Sequence, residues 1–526
     1  MAFKFRGTLC KIFFARGASR GLLQPFPVTP CCVHQQCVLN SGTAAATFED
    51  RKALGSPDDL SGPTFLNNFY WMFFRGYITH MQDLQIIQKK MYGPMWKSLF
   101  GPYKSISVAN AELLEELLRQ EGKYPMRNDM AIWKEHRDKR NFAYGPLTEE
   151  GERWHKLRTA LNKKILKPKD VAVYCGAINE VVSDFIKKLY YLRENSPSGV
   201  LVSDIANEFY RFAFEGVCCV IFETRLGCLE KNIPKETQEF INSVGIMLHN
   251  SVYATVLPKW TRSILPYWNR YLEGWDTLFA YAKKLVDKKM ENIQARLDRG
   301  EVVEGEFLTT LLANANLSMH EIYGSMPELL QAGVDTTSNT LAWVLYHLSR
   351  DPGIQNSLYK EVMNVVPDRA PTVKDIDRMP LLKAVIKETL RMYPVVPVNG
   401  RVAAEKDIVL NGICFPKNTQ FQLCHYVASY DEKHFPDPHR FDPTRWLRDV
   451  GMKHHPFGSI PFGYGVRACV GRRFAELEMR LALIGIIKKF ELQPDPSCAD
   501  VKAISRIVLI ANKPINLQFI ERQSQK

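Results

Sequence analysis

The chain has 526 residues, 46% of them hydrophobic and 24% charged, a balance that excludes disordered and collagen-like proteins. Its formal net charge is +13, yet five of its 69 basic residues lie within the first 48 positions, where no acidic residue occurs. The remaining 64 basic and 56 acidic residues make the rest of the chain only mildly basic, so its charge does not require a nucleic-acid partner.

The opening of the chain is basic, free of carboxylates and mixed with aromatic and small residues, which is typical of a mitochondrial transit peptide. We assign this leader to residues 1–40, leave its cleavage point open, and regard an unstructured tail as the alternative. No linker rich in Gly, Ser or Pro divides the rest, so residues 50–526 are expected to form one domain. Neither residues 1–48 nor the aromatic segment Tyr70–Tyr77 offers the ~18 uninterrupted apolar residues that a membrane-spanning helix needs.

Helical spacing of apolar residues dominates the chain and predicts a mainly α fold with a minor β region. The longest periodic segment runs from about Met319 through His347, stops before Asp351-Pro352, and predicts a helix that crosses the middle of the protein. Strand-like segments occur late, at Asp407–Val409, Gln420–His425 and Ile504–Ala511. Shorter helices are predicted at Asn110–Gln120, Arg153–Leu166, Lys169–Leu192, Thr237–His249 and Tyr271–Leu297.

One cysteine differs from the others in its surroundings. The twelve cysteines are scattered without the CxxC pairs of a zinc site or a disulfide framework. Cys469, however, lies in the glycine-punctuated segment Phe462–Arg473, directly before a predicted helix that runs to about Phe490. Glycines permit tight turns and the close approach of a flat ligand, while a helix N-terminus favours a thiolate. The segment therefore predicts an axial ligand to iron, with a buried structural thiol as the alternative.

The pattern Phe462-x-x-Gly465-x-Arg467-x-Cys469-x-Gly471 resembles the haem-binding signature of the cytochrome P-450 family. This resemblance implies the family's fold, a large helical region with a minor β region and a long central helix over the haem. It further implies haem b (iron protoporphyrin IX) as the cofactor, with an axial thiolate from Cys469. Phe462 and Arg467 are then expected to contact the cofactor.

A Glu-Arg pair and a later arginine agree with this resemblance. Glu388-x-x-Arg391 and Arg445 match the family's structural triad, which fixes the segment that leads to the cysteine. An exposed pair at this spacing would contribute only about 0.3–0.5 kcal/mol and would mean little alone. Its order and spacing relative to Cys469 make it informative.

Three more residues match positions at which the family binds the haem propionates. Trp154-x-x-x-Arg158 puts an aromatic ring and a guanidinium one turn apart on a predicted helix. By resemblance this pair reaches a propionate, and Arg401 is a further partner. Surface salt bridges are the alternative for Arg158 and Arg401.

The long predicted helix carries polar residues within its apolar run, at Ala332-Gly333-Val334-Asp335-Thr336-Thr337. Polar groups there are costly unless they have a function. Gly333 and the Thr336 hydroxyl are expected to open the helix hydrogen-bond ladder and make room for O2 and water. The resemblance makes Asp335 and Thr336 the catalytic pair for proton delivery and oxygen activation. The alternative is a separate helix that begins at Asp335 or Thr336.

The electrons for O2 reduction are expected from a partner, because no GxGxxG loop follows a predicted strand. Lys383 and Lys387 lie one turn apart, and Arg472 and Arg473 follow the cysteine, which predicts four cations on one face. This arrangement is similar to the mitochondrial branch of the family, in which an acidic [2Fe–2S] ferredoxin, reduced by an NADPH-dependent reductase, docks by complementary charge. A solvated basic helix face is the alternative.

Outer segments of the chain are similar to the sterol side-chain hydroxylases of this branch: Tyr92–Trp96, Gly122–Pro125, Trp133–Asp138 and Tyr253–Trp260. The similarity implies hydroxylation of the terminal side-chain methyl of cholesterol-derived sterols and bile-acid precursors. Vitamin D3 hydroxylases and a retinoid desaturase share the catalytic motifs and stay open. In a different class, a haem-thiolate isomerase or gas sensor also stays open.

The substrate pocket is expected to be mostly apolar with a few polar anchors. Its walls are predicted from Met130–Trp133, Leu329, Gly333, Val395–Val398 and Ile507. The run Val256–Trp268 mixes apolar and cationic residues, and we expect it to touch the matrix side of the inner mitochondrial membrane peripherally. Ordinary helix packing is the alternative for that run.

Overall fold

The structure is a computed structural model that describes residues 54–100, 103–128, 130–303, 307–448 and 454–523. The predicted leader, residues 1–40, lies outside the described residues. The α-helices are α1 Phe65–Phe69, α2 Met81–Tyr92, α3 Ala111–Arg119, α4 Ala131–Arg140, α5 Gly151–Ile165, α6 Pro168–Ala172, α7 Cys175–Glu194, α8 Ile205–Ile221, α9 Lys235–Val256, α10 Tyr267–Asp298, α11 Phe307–Leu312, α12 Met319–Arg350, α13 Pro352–Val365, α14 Val373–Asp377, α15 Pro380–Met392, α16 His425–Ser429 and α17 Arg472–Lys489.

The strands form small sheets at the edge of this helical body. They are β1 Met95–Phe100, β2 Tyr103–Val108, β3 Leu201–Val202, β4 Asn399–Val402, β5 Ile408–Leu410, β6 Ile413–Phe415, β7 Gln420–Leu423, β8 Phe490–Pro494, β9 Ala503–Arg506, β10 Val508–Ala511 and β11 Leu517–Glu521. The largest sheet has the order β1-β2-β7-β4, and the others are β3-β11-β8, β9-β10 and β5-β6. The mainly α prediction with a minor β region is confirmed.

The central helix α12 passes through the hydrophobic core. Its start is fixed by a capping box, in which the Ser318 hydroxyl accepts from the Glu321 amide and the Glu321 carboxylate accepts from the Ser318 amide. Most of its residues between Ile322 and Ser349 are buried, and it packs against α8 and α10. A helix buried on all sides lies inside a large domain rather than on its surface.

Several element boundaries differ from the prediction. The segment Lys169–Leu192 forms two helices, because a turn at Val173 and Tyr174 directs the Tyr174 side chain into the core and leaves Val173 exposed. The predicted strand Ile504–Ala511 is a hairpin of β9 and β10, since Ile507 has a φ of 70° and turns the chain back. The pair β1–β2 was not predicted.

The segment that leads to the cysteine is fixed by one buried carboxylate. Glu388 on α15 accepts from Arg391 at 2.8 and 2.9 Å and from Arg445 Nε at 3.0 Å. It also accepts from Trp446 Nε1 at 2.8 Å and from the Asp442 amide at 3.1 Å. Glu388, Arg391 and Arg445 are buried, so these bonds join α15 to the chain that precedes Cys469 in a region of low dielectric.

We expect Glu388→Gln to lower the free energy of unfolding by about 3–5 kcal/mol, because it leaves two buried guanidiniums without their anion. Urea unfolding followed by circular dichroism measures the change. Glu301→Gln is the matched control, since Glu301 also pairs with two arginines, Arg296 and Arg299, but at the surface. Its expected cost is below ~1 kcal/mol, and equal losses in both variants would contradict the triad's structural role.

Candidate active site

The cysteine loop, residues 462–471, depends on two glycines with left-handed backbone. Gly463 and Gly465 have φ values of 70° and 69°, which L side chains rarely adopt. The loop closes through a hydrogen bond of 2.8 Å from the Cys469 amide to the Phe462 carbonyl. Helix α17 begins at Arg472, so the loop presents Cys469 just before a helix N-terminus.

The Cys469 side chain is exposed by surface area although it lies deep within the protein, so its sulfur faces an internal space. Burial raises the pKa of its thiol, whereas the Gly471 amide and the neighbouring Arg158, Arg127 and Arg472 favour the thiolate. A bound metal cation would remove the remaining proton, since coordination of a thiol deprotonates it.

Buried guanidiniums surround this cysteine. Burial, then repulsion from Arg401 and Arg158, lowers the pKa of Arg127 to about 10. Burial, then repulsion from Arg127 and Arg401, lowers the pKa of Arg467 to about 9. So much positive charge in one buried region is costly without anions to offset it.

Unpaired buried donors lie in the same region and provide a test of whether a haem fits. Arg467 Nη1, Arg127 Nε and Trp154 Nε1 are buried and have no hydrogen-bond partner among the described residues. The Arg467 guanidinium also stacks 3.8 Å from the centroid of the Trp154 ring. Two haem propionates supply the anionic acceptors that these donors lack. The residues present therefore fit a haem held by Cys469, with Trp154, Arg127 and Arg467 as candidate propionate partners.

The other cofactor residues predicted from sequence also lie near the loop. Arg158 donates to the Ala468 carbonyl at 2.5 Å and to Asn162 at 2.8 Å, so it supports the residue next to Cys469. Arg401 is buried and forms an ion pair with Glu121. The Phe462 ring packs 5.2 Å from the Arg472 guanidinium. The propionate role of Arg158 and Arg401 remains a prediction.

The middle of α12 has a distinct accessible face. Ala332 and Thr336, one turn apart, are partly accessible within a run that is otherwise mostly buried. The Thr336 hydroxyl donates to the Ala332 carbonyl at 2.7 Å. The helix is continuous through Asp335, so the alternative of a separate helix starting there is wrong.

The opening of the helix ladder predicted at Gly333 stays a prediction, and it does not divide α12, which is helical from Met319 to Arg350. A Cβ added at Gly333 would lie 2.8 Å from Val217 Cγ2 on α8. The missing side chain thus serves the close packing of two helices.

Asp335 is held by residues that the sequence did not identify. It is buried, and its carboxylate accepts from the Tyr210 hydroxyl on α8 and, at 3.4 Å, from Gln331. Asn339 donates to the Tyr210 oxygen at 3.1 Å and to the Asp335 carbonyl at 2.8 Å. Burial raises the pKa of Asp335 to about 6, against the lowering effect of the Tyr210 and Gln331 hydrogen bonds.

The predicted basic face is partly neutralised. Lys383 forms an ion pair with Asp377 at 2.9 Å, and Arg472 pairs with Glu476 at 3.0 Å. Lys387 is exposed and lies 5.5 Å from the Trp446 ring, and no ion pair of it is found among the described residues. Burial of its stem, with the nearby Arg472, Arg480 and Lys383, lowers the pKa of Lys387. Arg473 is exposed.

An apolar cavity of about 330 Å³ adjoins Arg127 of the guanidinium cluster. It has residues from the predicted pocket segments in its walls, namely Met130–Trp133, Val396–Val398 and Ile507. Arg127 also lines it, so the cavity reaches the guanidinium cluster near Cys469. Leu329 and Gly333 are not among its lining residues.

Two groups of exposed apolar side chains lie close in sequence to the cavity walls. The first comprises Phe65, Leu66, Phe69, Tyr70, Phe73 and Phe74, and it precedes the lining residue Ile78. The second comprises Trp260, Ile264 and Leu265, and it follows the lining residue Thr255. Thr261, Tyr267 and Trp268 are buried, so the run Val256–Trp268 is divided between packing and exposure. None of the helices in the described ranges is sufficiently long and apolar to cross a bilayer.

Arg127 and Tyr210 are the site residues that sequence reasoning missed. Arg127 lies two residues after Gly122–Pro125, a segment noted only for its similarity, and Tyr210 lies on a helix that was not predicted. No local spacing relates either residue to Cys469 or Asp335, because their proximity arises from tertiary packing.

Comparisons with known proteins agree with this site. The sequence matches the family described as cytochrome P-450 over residues 60–519. It is 53% identical over 519 residues to "Sterol 26-hydroxylase, mitochondrial" of Homo sapiens, with 97% of each chain covered. The Mus musculus protein of that name is 51% identical over 486 residues, with 91% of each chain covered. "25-hydroxyvitamin D-1 alpha hydroxylase, mitochondrial" of Homo sapiens is 40% identical over 491 residues, which cover 91% of this chain and 96% of that protein.

The family match extends through the triad, the guanidinium cluster, the central helix and the cysteine loop. The chain therefore belongs to the cytochrome P-450 family of haem-thiolate monooxygenases.

Proposed function

We propose that this enzyme hydroxylates the terminal side-chain methyl of cholesterol-derived sterols and bile-acid precursors in mitochondria. The observation that carries the proposal is the 53% identity to a mitochondrial sterol 26-hydroxylase over 97% of both chains. The 40% identity to a vitamin D hydroxylase makes vitamin D3 the second candidate substrate. Turnover of sterol, vitamin D3 and retinoid side by side, with product identification, tests the choice, and a chain that oxidises only the latter two contradicts the proposal.

Haem b held by the Cys469 thiolate would supply O2 binding and the electron-rich iron that favours O–O cleavage. The protein's part is to hold the cofactor, exclude water and supply protons. Arg127 and Arg467 would offset the propionate charge, Trp154 would donate a hydrogen bond to a propionate, and Phe462 packs beside the loop. An isomerase or gas sensor of the same class needs no proton source, so the buried Asp335 network favours a monooxygenase.

Asp335 and Thr336 provide the proton path of this mechanism. A pKa of about 6 lets the Asp335 carboxyl both hold and release a proton near neutral pH. Thr336 lies on the accessible face of α12 and orients the proton transfer through its hydroxyl. Tyr210 donates to Asp335 and sets how readily that carboxyl ionises.

Electrons come from NADPH through a reductase and an acidic [2Fe–2S] ferredoxin. Lys383, Lys387, Arg472 and Arg473 form the docking face, where opposite charge accelerates encounter. Since Lys383 is paired with Asp377, Lys387 contributes the larger share.

The enzyme works on the matrix side of the inner membrane. Its two exposed apolar groups suit the headgroup boundary of a bilayer, where aromatic side chains are favoured. Both groups adjoin the cavity in sequence, so a membrane-dissolved sterol reaches the cavity without crossing water.

Replacing Cys469 with Ser tests the ligand assignment. We expect the variant to lose the thiolate-type spectrum of the reduced, CO-bound protein and all monooxygenase turnover, since a hydroxyl does not replace the thiolate donor. Helix content by circular dichroism should be retained. Cys498→Ser, at a half-buried cysteine near β8, is the control and should keep both spectrum and turnover. A Cys469→Ser protein with an unchanged spectrum would contradict the assignment.

Replacing Tyr210 with Phe tests the proton path. Loss of the hydroxyl removes a hydrogen bond that lowers the pKa of Asp335, so this pKa rises. If the protonated Asp335 carboxyl supplies the proton, the fraction of NADPH use that yields product falls as pH rises through that pKa. In the variant this decrease should occur at higher pH. Product, NADPH and peroxide are measured across the neutral range. Thr336→Ala should lose coupling at every pH without moving the profile, and an unmoved profile in Tyr210→Phe would refute the link.

Joint replacement of Lys383 and Lys387 with Gln tests the donor face. Reduction by the ferredoxin should slow about tenfold at low ionic strength, and the difference from wild type should shrink as salt is added. Lys387→Gln alone should have a larger effect than Lys383→Gln. The control pair is Lys284 and Lys288, one turn apart and exposed on α10. Wild-type reduction rates in the Lys383/Lys387 variant at low salt would rule out docking by these lysines.

A further inference from the structure

Part of the cavity lining is polar, and the polar wall defined by Gln82, Gln85 and Ser105 is one section of it. Gln82 and Gln85 lie three residues apart on α2, and therefore on the same face, and Ser105 lies on β2. All three line the cavity. Most of the remaining lining is apolar and includes Ile78, Met81, Val252, Val396, Val398 and Ile507.

This polar wall contains buried atoms without partners. Gln82, Gln85 and Ser105 are exposed by only 1%, 6% and 8%. Gln82 Oε1, Gln85 Oε1 and Ser105 Oγ have no hydrogen-bond partner among the described residues. The Gln82 amide nitrogen is already engaged, since it donates to the Ala503 carbonyl at 3.3 Å. A buried polar atom left unpaired costs about 1–3 kcal/mol, so an arrangement of three calls for a ligand.

The atoms define the chemistry of that ligand. Two amide oxygens accept hydrogen bonds, and the Ser105 hydroxyl both donates and accepts. An alcohol pairs with two of these three groups, because its O–H donates to one glutamine oxygen while its oxygen accepts from Ser105. A carboxylate, which only accepts, would leave both glutamine oxygens unpaired. An ammonium group would lack an anion, since Arg127 is the only charged residue among the described residues that line the cavity.

The polar wall lies away from the guanidinium cluster. Asn128, next to Arg127, packs closely against Gly400 on β4, where an added Cβ would collide with the Asn128 side chain. Strand β7 separates β4 from β2, the strand of Ser105. Adjacent strands lie about 4.8 Å apart, so β2 and β4 are roughly 10 Å apart. A ligand that contacts both ends is elongated.

We infer that Gln82, Gln85 and Ser105 form a subsite for the ring hydroxyl of a sterol, which directs the sterol's side chain toward the cysteine end of the cavity. The inference rests on the proposed sterol substrate and adds how that substrate is oriented. It makes these residues determinants of specificity rather than participants in the chemistry.

The test uses the full haem-containing chain and two probes, cholesterol and cholest-5-ene, which lacks the ring hydroxyl. Binding is measured from the change in the haem absorption spectrum. We expect wild type to bind cholesterol about tenfold more tightly, the equivalent of a hydrogen bond in a buried site. In Gln85→Leu combined with Ser105→Ala, the two affinities should agree within about twofold. Ser105→Ala alone, a smaller change, should reduce the preference partly and serves if the double variant does not fold.

Gln88→Leu is the matched control. Gln88 lies on the same helix and is buried, but its oxygen accepts from Trp96 Nε1 at 3.2 Å and it does not line the cavity. This variant should keep the tenfold preference while its melting temperature falls. Gln85→Leu should melt no lower than wild type without sterol, because it removes an unpaired acceptor.

Two outcomes would overturn the inference in distinguishable ways. If both probes bind and the Gln85/Ser105 variants keep the wild-type preference, the subsite is wrong and the sterol substrate stands. If neither probe perturbs the haem spectrum, the proposed sterol substrate fails and the subsite fails with it.

Discussion

The concentration of positive charge beside Cys469 is the constraint on which the site depends. Burial, and then repulsion from neighbouring guanidiniums that include Arg158 and Arg401, lowers the pKa of Arg127 and Arg467, and one carboxylate, Glu121, pairs with Arg401. Burying so many cations costs several kcal/mol per ion unless anions offset it. A haem contributes two propionates and an iron that binds the thiolate, so the cofactor completes the charge balance of the fold as well as the chemistry. Cofactor binding and stability are therefore linked by mass action.

The elements around this region divide into a rigid support and a functional helix. The Glu388 hub joins α15 to the chain before the cysteine loop through bonds between buried groups. Helix α12 instead carries Asp335, and burial raises the pKa of this carboxyl to about 6, close to neutral pH. Buried polar groups with perturbed pKa values are expected where chemistry is performed. Burial thus serves stability at Glu388 and, in the proposed mechanism, proton transfer at Asp335, and the difference lies in whether arginines surround the carboxylate.

Sequence reasoning identified what is local and missed what is tertiary. Helical spacing located α12 almost to its ends, since a long periodic segment with a capping box is a strong signal. The loop around Cys469 was identifiable because its glycines and cysteine are fixed by spacing along the chain. Tyr210 and Arg127 could not be found in this way, because each reaches its partner across more than a hundred residues of sequence. The packing role of Gly333 was not predicted, since a glycine in a helix has the same appearance whether it opens the ladder or admits a neighbouring helix.

The positions of exposed charge and exposed apolar side chains bear on where electrons and substrate enter the protein. The cations Lys387 on α15 and Arg472 on α17 belong to the elements that flank the cysteine loop in sequence, and they form part of the face proposed for an acidic electron donor. Exposed aromatic side chains lie instead beside the segments that line the cavity, where a lipid approaches. An acidic protein and a membrane would compete for the same surface only if the cations of α15 and α17 lay within the exposed aromatic groups. The two groups belong to different elements of the fold, so the proposed mechanism assigns substrate entry and electron transfer to different parts of the molecule.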